Sequence, residues 1–477
     1  MIKKNLNLNA SSNKFVIVGA GLTGLLTAYY LSKKINPKNI FLIESSHNFG
    51  GYYGSANYGL DKIFDYGMHI IYETCINEID SLFLEIMPEN EWIFLQNNKK
   101  DVAGIFYNER LQNYSPYVDL RSFPEQEFNY LKNSFFSNLA NIKPESDEDN
   151  AENYLINRFG YAITNKIHAP LLSRLYSLPP QELTNLAIKL TALERICLLD
   201  KEDLLIKSDN EFIKSRIAYP DQANLPFQRK SKQRGLYPKK FGMINFINRL
   251  VNSLKRREVN FLVNSKINSI DYVNNIINYS NMSNFDIKYD HIFWTAGWAQ
   301  LANILKFDSY KTEKPKSIPS FPVYLIIKNK PKMDNLYYFY CYDNFATFRV
   351  TNYSSYCPSS VKNGLYKLCV ELWPSRLNLS CDLINTNYIK KLASKELLKM
   401  GIINGGDDII FSEIGKPLHF PLPSINNKNL FLKINQEFNY LGLDNFHITG
   451  VQSEKNIFFQ QDILIDSFNK INKINVK

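Results

Sequence analysis

An α/β fold, with a parallel-sheet domain near the start of the chain and an antiparallel sheet plus helices further along, is predicted by two patterns. The first is "KFVIVGAGLTGLLTAYYLSKKINPKNIFLIESSHNFGG", residues 14 to 51, in which an apolar β-branched run, a glycine turn, a helix-periodic stretch and a second apolar run follow one another. The second is residues 320 to 375, where the runs "FPVYLIIKN", "LYYFYCYD", "ATFRVTNYS" and "YKLCVELWP" alternate apolar and polar residues between turn residues. At 477 residues the chain has room for two or three domains of ordinary size.

In the opening stretch, Phe15 to Val18 reads as a strand and "LLTAYYLSKK" as the helix after it, so the glycines between them form a βα turn. Gly19, Gly21 and Gly24 stand in G-x-G-x-x-G spacing. The first permits the tight turn, the second lets backbone approach a pyrophosphate, and the third lets helix and strand pack closely. The N–H groups of Leu22, Thr23 and Gly24 then face the phosphates at the positive end of the helix. "NIFLIE" is the second strand. Glu44 ends it twenty residues after Gly24, where a carboxylate binds both ribose hydroxyls and repels the 2′-phosphate of NADP. A Rossmann-like dinucleotide site is the expectation.

Composition narrows the class. Hydrophobic residues at 45% and charged residues at 21% fit a globular protein with substantial cores. The net charge of +10 favours anionic partners. The densest basic stretch, "RKSKQRGLYPKK" from Arg229 to Lys240, is short and comes with no recognised nucleic-acid motif, so nucleic acid is not an expected partner. Cys75, Cys197, Cys341, Cys357, Cys369 and Cys381 show neither CxxC pairing nor metal-ligand spacing. They read as reduced thiols of a cytoplasmic protein without a metal. No apolar run is long enough for a transmembrane segment, which leaves peripheral contact with an acidic membrane open.

"ESSHNFGG" is Glu44, then five residues from Ser45, then Gly50 and Gly51. This resembles the E-x5-GG extension of the glutathione-reductase and amine-oxidase flavoproteins. The resemblance implies that the cofactor is FAD and that the second glycine pair lets the chain pass close to the FAD diphosphate. "IFDYGMHIIYET", Ile63 to Thr74, resembles the D-x-G-x-H-type segment of UDP-galactopyranose mutase and its protoporphyrinogen-oxidase-like relatives. It implies that Gly67 and His69 lie beside the flavin, with His69 as a catalytic group.

The resemblance continues through most of the chain. "NYLINRFGYAITNKIHAPLLSRLYSLPPQEL", Asn153 to Leu183, resembles the helical segment that walls the substrate cleft in these families; His168, Arg174 and Tyr176 lie on it. Arg174 and Arg195 offer planar forks for an anionic substrate, with Arg174 put forward as catalytic. In "GLYPKKFGMINFINRLVNSLKRREVNFLVNSKINSIDY", Pro238, Gly242 and Ile267 stand where the superfamily has a P-x-x-G-x turn and the strand that meets the FAD adenine. "YDHIFWTAGW" reads as a strand returning to the first sheet, with Trp294 and Trp298 as candidate walls of the flavin or plain core. On the antiparallel sheet the polar candidates are Arg349, Asn352, Tyr353 and Glu371, with Arg349 put forward as catalytic. "NFHITGVQSEKNIFFQQDILIDSFNKI" resembles the closing FAD motif, which implies cofactor contacts for Gly450, Asn456, Ile457 and Phe458 at a helix N-terminus.

The fold implied is a glutathione-reductase-type FAD-binding domain in three parts, 14–75, 235–300 and 426–477. A helical substrate domain (76–234) and an antiparallel-sheet substrate domain (301–425) are inserted between them. The expected activity is an FAD-dependent oxidoreductase of the amine-oxidase and protoporphyrinogen-oxidase-like type, passing hydride from a small-molecule substrate to flavin N5. The alternatives are a UDP-galactopyranose mutase-like isomerase acting on a sugar nucleotide, and a non-catalytic flavin-binding protein. One departure favours the first: the mutase pattern carries an arginine directly after the closing glycine, and here Val451 follows Gly450.

Overall fold

The computed structural model describes residues 13–139, 146, 150–206, 210–378, 385–451 and 457–474. The chain divides into two units, one made of Met1–Phe94, Gln233–Lys314 and Leu430–Lys477, the other of Leu95–Lys232 and Pro315–Asn429.

The centre of the first unit is a five-stranded sheet in the order Asn260–Leu262, Ile40–Ile43, Phe15–Val18, His291–Trp294, Phe446–Ile448, with every neighbouring pair parallel. Parallel strands are covered on both faces, which is why Phe15–Val18 and Ile40–Ile43 are apolar at all positions and buried throughout. Register then aligns their ends. Val18 lies opposite Ile43 and Trp294, and Trp294 opposite Ile448. The residues that follow, Gly19, Glu44, Thr295 and Thr449, therefore emerge along one edge, the carboxyl edge where α/β sheets bind ligands.

On one face the helix Leu22–Leu31 packs against Ile244–Arg256 and the final helix Gln460–Asn472, and Thr27 and Ser467 share a buried hydroxyl hydrogen bond of 2.6 Å. On the other, Val16, Val18, Ile43 and Trp294 share a core with Ile267, Ile277 and Tyr279 of a three-stranded antiparallel sheet. Trp294 and Trp298 are core residues: the indole of Trp294 is fully buried and donates to the Gly297 carbonyl at 2.8 Å, and Trp298 meets Phe431 edge-on.

The second unit is built on an eight-stranded sheet. Its path runs Ile409–Ile414, Ser317–Ile327, Tyr366–Leu372, Thr347–Asn352, Tyr338–Cys341, Ala103–Tyr107, Arg110–Gln112, and Leu418–Pro421 pairs with Ser317–Ile327. The pairing of Tyr338–Cys341 with Ala103–Tyr107 is parallel, so the hairpin after residue 102 completes the later meander. Apolar residues on one face (Phe339, Val350, Leu368, Val370) pack with Ile389, Ala393 and Leu397 of the helix Thr386–Lys399. On the other face Tyr342, Phe348 and Trp373 join a core with the helices between residues 125 and 206.

The sequence reading places the first crossing between parts at residue 75; in the structure it falls after Phe94. The cause is the segment in between. Helix Asn77–Ile86 packs against Ile244–Arg256, and Trp92–Leu95 joins Gly235–Pro238 and Ile71–Tyr72 in a small sheet. The later crossings fall at residues 314 and 429 instead of 300 and 425.

Candidate functional site

The glycine turn has the geometry its spacing implies. Gly19 takes φ +102°, and its N–H donates to the Ile43 carbonyl at 2.8 Å. A Cβ on Gly24 would stand 2.0 Å from the Gly19 carbonyl oxygen, so only glycine lets the helix start this close to the strand. Leu25 donates to Gly21, the first bond of the helix. The N–H groups of Leu22, Thr23 and Gly24 therefore have no acceptor within it, and no acidic side chain lies in that first turn.

Glu44 turns its carboxylate back onto the loop, accepting the N–H of Ala20 at 2.8 Å and of Ser46 at 2.8 Å, with the Ser45 hydroxyl at 3.2 Å. Gly50 donates to the Ala20 carbonyl at 2.8 Å. Gly51 sits so near Gly21 that a Cβ on it would be 3.2 Å from the Gly21 Cα. The two glycine motifs are thus adjacent, backbone against backbone. Thr295 ties in the closing segment: its hydroxyl donates to the Val18 carbonyl, and its carbonyl lies 3.8 Å from where a Gly450 Cβ would be. Gly450 itself has φ +134°.

His69 follows Gly67, which takes φ +89°. The imidazole is half-buried, parallel to Tyr52 at a centroid distance of 6.4 Å and edge-on to Tyr53 at 5.3 Å, so it stands beside the residues that continue from Gly50 and Gly51. Its loop is anchored by Asp65, a fully buried carboxylate that accepts the Tyr237 hydroxyl, the Met243 N–H at 3.0 Å and the Ser55 hydroxyl at 3.0 Å.

Other candidates fall elsewhere. Ile267 belongs to the antiparallel strand Lys266–Asp271, and the backbone beside Glu44 is that of Leu262 and Ser265, which exchange main-chain hydrogen bonds with it. The final helix begins at Gln460, so Ile457 and Phe458 precede its first turn, and Asn456 lies outside the described residues. Arg174 and Arg349 belong to the second unit. Arg349 pairs with Glu371 on the next strand, Nε to Oε2 and Nη2 to Oε1 at 3.0 Å, and it lies opposite Tyr340 on the other side. Burial raises the phenol of Tyr338 well above its ordinary value and that of Tyr340 above it, so both hydroxyls stay protonated. Asn352 caps the short helix Tyr353–Tyr356, and Tyr353 is core. Arg195 lies over the Tyr117 ring at 5.9 Å.

Several groups on the carboxyl edge were not found from sequence. The Gln460 amide oxygen accepts the Tyr72 N–H at 2.9 Å, while its buried Nε2 has no partner among the described residues; nor has the buried hydroxyl of Thr449, next to Gly450. Asp65 and Thr295 are legible only once the strands are paired.

His168 is core, stacked on Phe159 at 4.7 Å. Burial, with Arg158 nearby, pushes it down to about 3. His447 is pushed down to about 4 by burial, with His291 and Lys470 adding to the effect. Unfolded, each takes a proton near its ordinary 6.5; folded, neither does until well below that. Their neutral folded forms therefore give full stability above about pH 6.5, and that stability is lost as the pH falls toward 4 and then 3. Replacing His168 with Phe should reduce the slope of unfolding free energy between pH 6 and 5 by about 1.4 kcal/mol per pH unit, one proton's worth. Urea melts at the two pH values measure it; an unchanged slope would show that His168 titrates normally.

Comparison with known proteins agrees with this geometry. The model of the NAD(P)-binding Rossmann-like domain matches residues 17–80. Among solved structures, reduced UDP-galactopyranose mutase superposes with a TM-score of 0.72 at 18% identity, covering 97% of this chain and 95% of that one. The chain shares this fold. A putative protoporphyrinogen oxidase from Exiguobacterium sp. 255-15 gives 0.67 at 16% identity, with 97% and 99% covered. Putrescine oxidase bound to putrescine gives 0.56 at 11%, with 96% and 98% covered. No curated protein matches the chain. Among the described residues no helix is long and apolar enough to cross a membrane.

Proposed function

We propose that the protein is an FAD-dependent oxidoreductase. The observation that carries the cofactor is the carboxyl edge, where N–H groups without an acceptor inside their helix, a carboxylate held by two backbone N–H groups and two adjoining glycine motifs suit a diphosphate flanked by a ribose. The unpartnered Gln460 Nε2 and Thr449 hydroxyl at the closing turn fit the polar rim of a flavin. When bound, FAD supplies a two-electron acceptor at N5.

In this reading Leu22, Thr23 and Gly24 hold the diphosphate, Glu44 the adenosine ribose, and Gly50 and Gly51 leave room for the chain between them. His69, fixed between Tyr52 and Tyr53 on the Asp65-anchored loop, positions a proton beside the reacting carbon.

The sheet favours oxidation over the isomerase reading. Arg349 is engaged by Glu371 through two hydrogen bonds, so this row offers tyrosine hydroxyls and a neutral ion pair rather than a free cation for a diphosphate. Val451, in place of the mutase arginine, points the same way. Small amines or reduced ring compounds that carry no diphosphate suit such a surface better than sugar nucleotides.

The purified protein should be yellow, and under anaerobic conditions it should bleach with a member of a panel of amines, beginning with putrescine, and porphyrinogens. Conversion of UDP-galactopyranose by prereduced protein, with no electron acceptor consumed and no bleaching across the panel, would establish the isomerase instead.

A further inference from the structure

The second unit has a cleft of about 760 Å³ whose lining includes Tyr107, Lys166, Arg174, Asp343, Phe345 and Lys399. Its charges are unevenly committed. The Asp343 carboxylate accepts the N–H groups of Asn108 and Glu109 at 3.0 and 2.7 Å, which fastens two turns together. Lys166 pairs with Glu127 at 3.0 Å. Arg174 donates one N–H, from Nη1, to the Tyr342 carbonyl at 2.5 Å and has no carboxylate partner among the described residues, and neither has Lys399.

A second guanidinium adds to this field. Arg376, buried, donates to the carbonyls of Thr347 and Asp343, the second of these being in the turn that carries the Arg174 acceptor. Burial chiefly lowers its affinity for a proton, with the buried Glu396 carboxylate opposing that and Arg174 adding to it. Arg174 and the exposed Lys399 are the cations of the lining without a carboxylate partner among the described residues, and its carboxylates are Asp343, tied to backbone, and the exposed Glu109. A ligand carrying a compact dianion would pair with these two cations, and a guanidinium with most of its N–H groups unused is shaped for it.

We propose that this cleft binds a small phosphorylated molecule, with its phosphate on Arg174 and Lys399 and its body against Tyr107 and Phe345. The volume suits a ligand of nucleotide size. The proposal is independent of the redox reading, because its residues belong to the second unit alone.

The test uses the full-length protein saturated with FAD, so that the dinucleotide site is filled, and isothermal titration with pyrophosphate and, separately, with uridine monophosphate. Saturable binding is expected, tighter for the nucleotide if the aromatic wall contributes. Arg174→Gln and Lys399→Gln should each weaken it by about tenfold, the cost of one charge-assisted contact. Lys391→Gln, exposed on the same helix, should leave it unchanged. Lys399 is exposed, so its variant will fold even if the Arg174 variant does not. No saturable binding of either probe, binding that survives Lys399→Gln, or equal loss with Lys391→Gln would overturn the site.

Discussion

Gly24→Ala should yield a colourless protein that melts well below the parent, whereas Gly21→Val should be colourless yet nearly as stable as the parent freed of cofactor. The two glycines lie in one turn but meet different things. A Cβ on Gly24 would stand 2.0 Å from the Gly19 carbonyl oxygen and 3.0 Å from the Thr295 hydroxyl; neither the carbonyl nor the strand behind it can yield, so the helix Leu22–Leu31 must lift away. Overpacking of this kind costs about 1–3 kcal/mol or more, and the displaced N–H groups no longer converge on a phosphate. At Gly21 the nearest heavy atom to a Cβ is the Gly51 Cα at 4.0 Å. A Cβ there is in ordinary contact only, and the valine methyls beyond it enter the room kept for the ligand. Flavin content and urea midpoints separate the two, with Gly406→Ala, which meets nothing within 4 Å, as a neutral control. Full retention of flavin in Gly21→Val would mean that the cofactor does not pass this turn.

These positions were legible because a βα turn is local: strand, glycines, helix and Glu44 all fall within one short stretch, and the chemistry of each follows from its spacing. The antiparallel sheet was legible for a similar reason, through period-two alternation. What the sequence could not give were pairings made at long range. Asp65 meets Tyr237 and Met243 from 172 and 178 residues away, and nothing local marks it as the anchor of the His69 loop. The hairpin from Ala103 enters the second unit's sheet by pairing with Tyr338–Cys341, a partner no periodicity can name. Trp294 was ambiguous because an indole suits a ligand wall and a core equally; its N–H, turned onto Gly297, shows it serving the core. Arg349 and Glu371 were both visible as polar residues in apolar runs. Their mutual bond was not, because a bulge between Thr347 and Arg349 shifts the register that brings them opposite each other.

That bond makes the last expectation sharp. Glu371→Ala should destabilise the protein by about 3–5 kcal/mol, since it leaves a guanidinium whose side chain is only 18% exposed without its counter-charge. Arg349→Met should cost a similar amount by stranding Glu371, which is 8% exposed. The double variant Arg349→Met, Glu371→Leu removes both charges and should recover most of the loss, because a well-packed apolar pair is often as stable as the ion pair it replaces. Catalysis should not recover with it. If the row formed by Tyr340, Arg349 and Glu371 orients substrate, anaerobic bleaching by the panel compound that reduces the parent should slow by at least roughly tenfold in both single variants and in the double one. The two readouts divide the possibilities: stability restored with turnover still lost marks a pair that positions substrate, and recovery of both together would reduce it to a structural bridge between two strands.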